Sequence, residues 1–551
     1  LQYQVTFMQR NARSRVSLLA CASFAAILVA VCFAGCGTKS GGSGFTPPPD
    51  QPFGSPSQND DASDDGTTSS QGGFGDGGLI ALTLDADVPD RAPPPPTCKL
   101  PGLWCYQTTA PCTTSLSGKV FDPAGSVPLS GVVVYAVADP TVALDKITTG
   151  TNSCSACTTK VDNYMALAVT DAAGHFSMTG VPATTSVPIV VQAGKWRREV
   201  MLSSVTKCQD NAVQDGTLRL PKNKTEGDMP EMALLTGGCD DMACFLMNIG
   251  IDPNEFGAPH AGGHVDVYQG NSSPLGVPGT GPGLSNGTPG NCTNTSCPLW
   301  ASKASFEYYD MAIFSCECDE QGGGDAAASN GNETVAGYTH LHDWLNEGGK
   351  VFASHYHYTW FRDNPDPAWA ATATWLGSSI ALGMGTDDID TSFAKGAAFA
   401  QWMGNVGALT SSGPPPTIAL ASVASSVSNV NTATTSRWIY DPTTSPNDTK
   451  YMSFLTPIGG TTLPVGDAGA EGGTSESKVY CGKAVFTDLH TSSGLFATAA
   501  NVPGDCKAAP LTAQQKALEY LFFDLAACVA PEDMPVPMPP PNPPPPPPPP
   551  Q

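Results

Sequence analysis

A chain of 551 residues with a formal net charge of −24 is too long for one typical domain, and its acidity argues against nucleic acid as a partner. The charge deepens to −27 without residues 1 to 35, which hold three Arg and no acid.

The first coherent element starts at Met8. A basic stretch with Arg10, Arg13 and Arg15 leads into an apolar run from Val16 to Phe33, ending in Phe33-Ala34-Gly35-Cys36. That ending resembles a lipobox, with Phe33 where Leu is usual and Ala34, Gly35 and Cys36 in order. The resemblance implies a signal peptide over 1–35, cleavage before Cys36 and a lipid on that cysteine. An uncleaved transmembrane anchor is the alternative, since about 18 apolar residues just cross a bilayer. Residues 36–97 are rich in Gly, Pro, Ser and Asp with almost no core-forming side chains, which reads as a disordered tether. Gly37 after the lipid cysteine, where Asp would mark inner-membrane retention, points to the outer membrane. A protein so placed folds outside the cytoplasm. Setting aside Cys21, Cys32 and Cys36 leaves 15 of the 18 cysteines, expected mostly as disulfides with at least one left over.

Residues 98–227 form the first expected domain. Short β-branched runs separated by Gly, Pro and Asp (117–121, 131–136, 166–170, 175–179 and 188–193) predict a small β-sandwich. Gly125 and Gly174 sit in Asp-x-x-Gly turns, where positive φ is needed. The segments Ser117-Gly-Lys-Val-Phe-Asp122, Pro128-Leu-Ser-Gly-Val132 and Thr170-Asp-Ala-Ala-Gly-His-Phe176 resemble a carboxypeptidase regulatory-like domain, whose relatives include carbohydrate-binding modules. An insertion between Asp139 and Tyr164 carries Cys154-x-x-Cys157, expected as a small disulfide loop because no second pair stands at zinc-ribbon spacing.

Residues 228–530 alternate strand-like and helix-like segments and predict an α/β layer fold. Strands are expected at 232–237, 265–268, 309–316 and 350–356, and a hairpin or paired strands at 478–489. Helices are expected from Met242, over 333–346 with Gly348-Gly349 ending it, and from the capping box Thr512-x-x-Gln515 to Cys528. A long Gly/Pro/Asn loop at 270–297 carries an expected disulfide between Cys292 and Cys297. Four segments, Met232 to Gly237, Tyr309 to Phe314, Leu345 to Ala353 and Gly482 to His490, resemble the class I glutamine amidotransferase-like fold in its trehalose-utilisation (ThuA-like) branch. The resemblance implies a flavodoxin-like three-layer arrangement. The chain departs from the amidotransferase pattern at Ala353-Ser354-His355-Tyr356, which lacks the elbow cysteine and its flanking glycines, so that activity is not expected. No Gly-x-Ser-x-Gly surrounds Ser354 either. Residues 531–551 are nearly all proline and predict an extended polyproline rod.

Ligands of open α/β sheets bind at the carboxyl ends of strands. There the sequence places Glu317, then His355 and His357, then Asp488 and His490. Residues two apart on extended chain point the same way, and imidazole plus carboxylate suits a divalent transition metal able to activate water. The alternative is that these histidines cap strand ends. Cys316 and Cys318 could form a redox or metal pair, but each is expected to bond a distant cysteine. His340 and His342 diverge on their helix, and His260 and His264 read as loop residues. For glycan binding, Trp196 offers a stacking face with Arg197 as hydrogen-bond donor, against the alternative that Trp196 packs across the sandwich edge. Three functions follow: a lipid-anchored envelope protein with a non-catalytic binding or structural role toward a glycan or protein, a metal-dependent hydrolase or sugar-modifying enzyme acting at His355, His357, Asp488 and His490, or a scaffold whose proline rod contacts cell wall or another protein.

Overall fold

The computed structural model describes residues 98–108, 112–150, 154, 161–270, 290–292, 297–318, 320, 334–376, 383–444, 448–462, 478–491, 506 and 509–533, with scattered prolines of the tail. Cys36, the leader, the tether and most of the tail lie outside them. No helix of the described residues is long and apolar enough to cross a membrane.

The first β region uses seven strands: β1 (Ser115–Lys119), β2 (Val133–Val137), β3 (Tyr164–Val169), β4 (His175–Thr179), β5 (Thr185–Ala193), β6 (Trp196–Ser204) and β7 (Asp210–Ala212). They form one sheet in the order β4-β1-β7 and another in the order β3-β2-β5-β6. β4 shows the logic of the pattern. Phe176 and Met178 are buried while His175, Ser177 and Thr179 face water, as alternation on a half-buried strand requires. Gly125 and Gly174 close their turns at φ of +78° and +74°. Leu144 and Val161 of the insertion after β2 pack on a cluster of the four-stranded sheet formed by Tyr135, Val137, Leu167 and Val190. Cys154 does not form a local loop with Cys157: it is bonded to Cys481, 327 residues along the chain. A Cys-x-x-Cys spacing constrains a local bond only when the chain between and around the pair is free to close on itself, and here the insertion is drawn instead toward the second region.

The second region is built on β8 (Met232–Thr236), α1 (Met242–Asn248), β9 (Val265–Gln269), β10 (Met311–Phe314), α2 (Val335–Asn346) and β11 (Lys350–Ser354), continuing through β12 (Gly383–Ile389), α3 (Ala394–Asn405), β13 (Thr417–Val423), β14 (Thr435–Asp441), β15 (Asp448–Thr456), β16 (Gly482–Thr487) and α4 (Ala513–Ala526). β9-β8-β10-β11-β16 are parallel neighbours in that order. Beyond β16 the sheet continues antiparallel through β15, β14, β12 and β13. β8, β10, β11 and β16 are buried at every residue, as strands covered on both faces must be. Their side chains feed two cores: Phe352 and Val485 join one with α4, while Val351, Ala353 and Phe486 join another with α2. Both strands expected at 478–489 form, but they do not pair with each other as a hairpin. Lys478–Val479 pairs with Thr461–Thr462, and β16 pairs parallel to β11.

The two regions share one core. Trp196 packs edge-on against Phe523 of α4 at 6.0 Å between ring centroids. Trp402 of α3 donates from Nε1 to the Pro128 carbonyl at 2.7 Å, and the Ala124 amide donates to the Ile249 carbonyl at 2.9 Å. Trp196 is therefore fully buried and offers no stacking face to a glycan, while Arg197 pairs with Asp228 at 2.7 Å. The ring sits at the seam between the regions, and burying a large aromatic there outweighs exposing it.

Candidate metal centre

Three of the parallel strands end in residues that converge. β10 runs into Cys316, β11 into His355 and β16 into His490, and one donor atom from each lies within 4.8 Å of the other two. Cys316 Sγ is 3.3 Å from His355 Nδ1, and the His355 and His490 rings stand 5.0 Å apart at 80°. All three residues are buried. Among the described residues no other His, Cys, Asp or Glu belongs to this group.

Local geometry explains the convergence. His355 has φ of +43°, a left-handed value that a β-branched or bulky residue seldom adopts, and it turns the chain at once from β11 into the short 3-10 helix His355–Tyr358. Ser354 donates from Oγ to Asp240 Oδ2 at 2.7 Å, and Thr491 donates its amide to Asp240 Oδ1 at 2.8 Å. Asp240, which follows β8, thus fixes the neighbours of both histidines. Gln514 of α4 donates to the His490 and Ser422 carbonyls, each at 2.7 Å, and clamps the His490 backbone. The Cys239–Cys318 disulfide and the bond from the Cys239 amide to the Cys316 carbonyl at 3.0 Å pin the turn after β10. Gly237 is required at the same spot, because a Cβ there would meet the Cys316 carbonyl oxygen at 2.0 Å.

Of the sequence-predicted ligands, His355 and His490 meet and the others do not. His357 lies on the 3-10 turn, so it diverges from His355. Its Nε2 is 2.8 Å from the Ser315 carbonyl, and its Nδ1 accepts from Trp360 Nε1 at 3.3 Å, which leaves neither nitrogen for a metal. Asp488 accepts from the Ser426 amide and hydroxyl, both at 2.7 Å, and holds a turn. Glu317, buried beside the site, stands 4.0 Å from His357 and outside the donor group. Cys316 was the missing member: Cys318 bonds a distant cysteine as expected, whereas Cys316 alone among the described cysteines has no disulfide.

His490 supplies the sharpest observation. It is 2% exposed, and neither ring nitrogen has a hydrogen-bond partner. A buried polar atom left unpaired costs roughly 1–3 kcal/mol, so two on one ring ask for a ligand. Burial, opposed by Asp240, lowers the His490 pKa. Burial, with the charges of His490 and His357, pushes His355 down to about 2. Burial pushes the Cys316 thiol up. All three shifts run toward the neutral form of the group. A nucleophilic cysteine needs the opposite setting, a stabilised thiolate, so a Cys-His catalytic pair does not fit.

No protein-family model matches this chain, and no curated protein matches it. Among solved structures, an interface mutant of a type II cohesin–X-dockerin complex from Acetivibrio cellulolyticus is similar over 28% of this chain and 88% of that one, at 14% identity and a TM-score of 0.14, too slight a likeness to carry an argument.

Proposed function

We propose that this chain is a lipid-anchored envelope protein that holds one transition-metal ion between Cys316, His355 and His490. The observation that carries the reading is His490, buried with both ring nitrogens unpartnered beside a thiol and a second imidazole. On this reading residues 228–530 are an α/β layer domain of the amidotransferase-like kind. The support is the parallel order β9-β8-β10-β11-β16, in which the second strand lies outside the first and the third on its other side. The candidate site then stands at the carboxyl ends of the strands, where such sheets bind ligands, with His355 at the turn an amidotransferase gives to its nucleophile. Residues 98–227 are a sandwich packed on that domain, and Cys36 carries the lipid. Buried ligands favour holding the ion over turning over a substrate.

The test is elemental analysis of the full chain exported to an oxidising compartment. About one equivalent of a transition metal is expected, lost in Cys316→Ser and in His490→Gln, because ligand identity and count set affinity. A folded chain that takes up no metal from any buffer would sink the reading.

A further inference from the structure

The donor set and its seat narrow the choice of ion. One sulfur and two imidazole nitrogens converge, Glu317 lies outside that donor group, and three nearby polar groups are committed elsewhere: Asp240 to Ser354 and Thr491, Asp488 to Ser426, and His357 to Ser315 and Trp360. Structural zinc sites close with four protein ligands, and catalytic zinc sites keep three plus a water in an open position. Neither pattern fits three donors that are 0%, 2% and 2% exposed at Cys316, His355 and His490. Copper is satisfied by a trigonal set of one thiolate and two imidazoles, and it outranks zinc in affinity for a given site.

Resting on the metal reading above, we propose that the ion is copper, bound in a trigonal site by Cys316 Sγ, one nitrogen of His355 and one of His490. On binding Cu(II), the Cys316 thiol gives its proton to solvent and the copper–sulfur bond forms, with no change of oxidation state. The frame suits such a site. Each ligand leaves the end of a buried strand, and Asp240, Gln514 and the Cys239–Cys318 disulfide hold the three turns. The histidines therefore need little rearrangement to reach an ion. Every other described cysteine is in a disulfide, so Cu(II) meets Cys316 without a second described thiol to couple it to.

The test titrates the metal-free full chain separately with Cu(II), Zn(II) and Co(II). Copper is expected to raise an intense visible thiolate-to-Cu(II) charge-transfer band that saturates at about one equivalent. The band should vanish in Cys316→Ser and in His490→Gln, whose folding is checked by circular dichroism. Should either variant fail to fold, the parent still decides, because the band requires a thiolate and thiol titration of the denatured chain counts those present. If Co(II) or Zn(II) binds at one equivalent through Cys316 while Cu(II) gives no such band, copper is wrong and the metal reading stands. If no ion binds the folded chain, both fall.

Discussion

Glu519 on α4 is fully buried and faces Asp122 of the first β region's Asp-x-x-Gly turn, with Lys516 as the neighbouring cation. Burial, then Asp122, holds the Glu519 pKa well above its ordinary value, and burial lifts Asp122 to about 6. A carboxyl raised in the folded state contributes stability that is fully present below its unfolded pKa and is lost as pH rises through the folded one. Glu519→Gln keeps the shape and removes the ionisation. It should match the parent in thermal melts near pH ~4 and exceed it near pH ~8, and identical curves for the two would count against the account. At this scale two of the three residues of the proposed centre were among the ligands expected from the sequence. His355 and His490 follow from the rule that ligands gather at strand ends. His357 departs because the period of two holds only while the chain stays extended, and β11 ends at Ser354; Asp488 is taken up by the Ser426 amide and hydroxyl. Cys316 was weighed as part of a pair with Cys318 and set aside by the default that an exported cysteine is bonded, although the odd count of cysteines was its signal. Asp240 carries no mark in sequence beyond following a strand. As a positioning residue, Asp240→Asn should lower metal affinity roughly 10–100-fold while leaving the stoichiometry at saturation unchanged, read by competition with a chelator.

Among the elements, α4 bears the most. Its first turn is closed by the reciprocal Thr512–Gln515 capping box, Gln514 reaches the His490 carbonyl, and Phe523 meets Trp196. The capping box and the apolar stripe were readable from spacing. The partner of that stripe was not, because periodicity tells which face is buried and not what covers it. The antiparallel wing β12–β15 went unread for a related reason: its alternation is broken by irregular pairings between β14 and β15 and between β12 and β13, so no clean period of two survives. If Trp196 is a packing residue and not a ligand platform, Trp196→Ala should cost about 3–5 kcal/mol in denaturant unfolding. Metal content of the folded fraction should be unchanged, and a variant of parental stability would overturn the assignment.

The whole molecule joins two architectures without a break in the core. The change of texture near residue 227 marks where the two smaller sheets give way to the large mixed sheet and its helices, but side chains from both regions enter a common cluster, and Cys154–Cys481 ties the insertion after β2 to the residue before β16. Unfolding followed by far-ultraviolet circular dichroism and by tryptophan fluorescence should give coincident transitions. Two well-separated transitions would mean that the seam is weaker than its contacts imply.

The seam between Trp196 and Phe523 also has a place in time. The sandwich leaves the ribosome early, whereas the helix that covers Trp196 comes after more than half of the chain has followed. Until then the face around Trp196 has no lid, and the partner sulfur of Cys154 has not yet been made. Nascent sandwich is thus an unfinished object with a bare apolar side, and a ribosome stalled before α4 should yield a chain that chaperones retain.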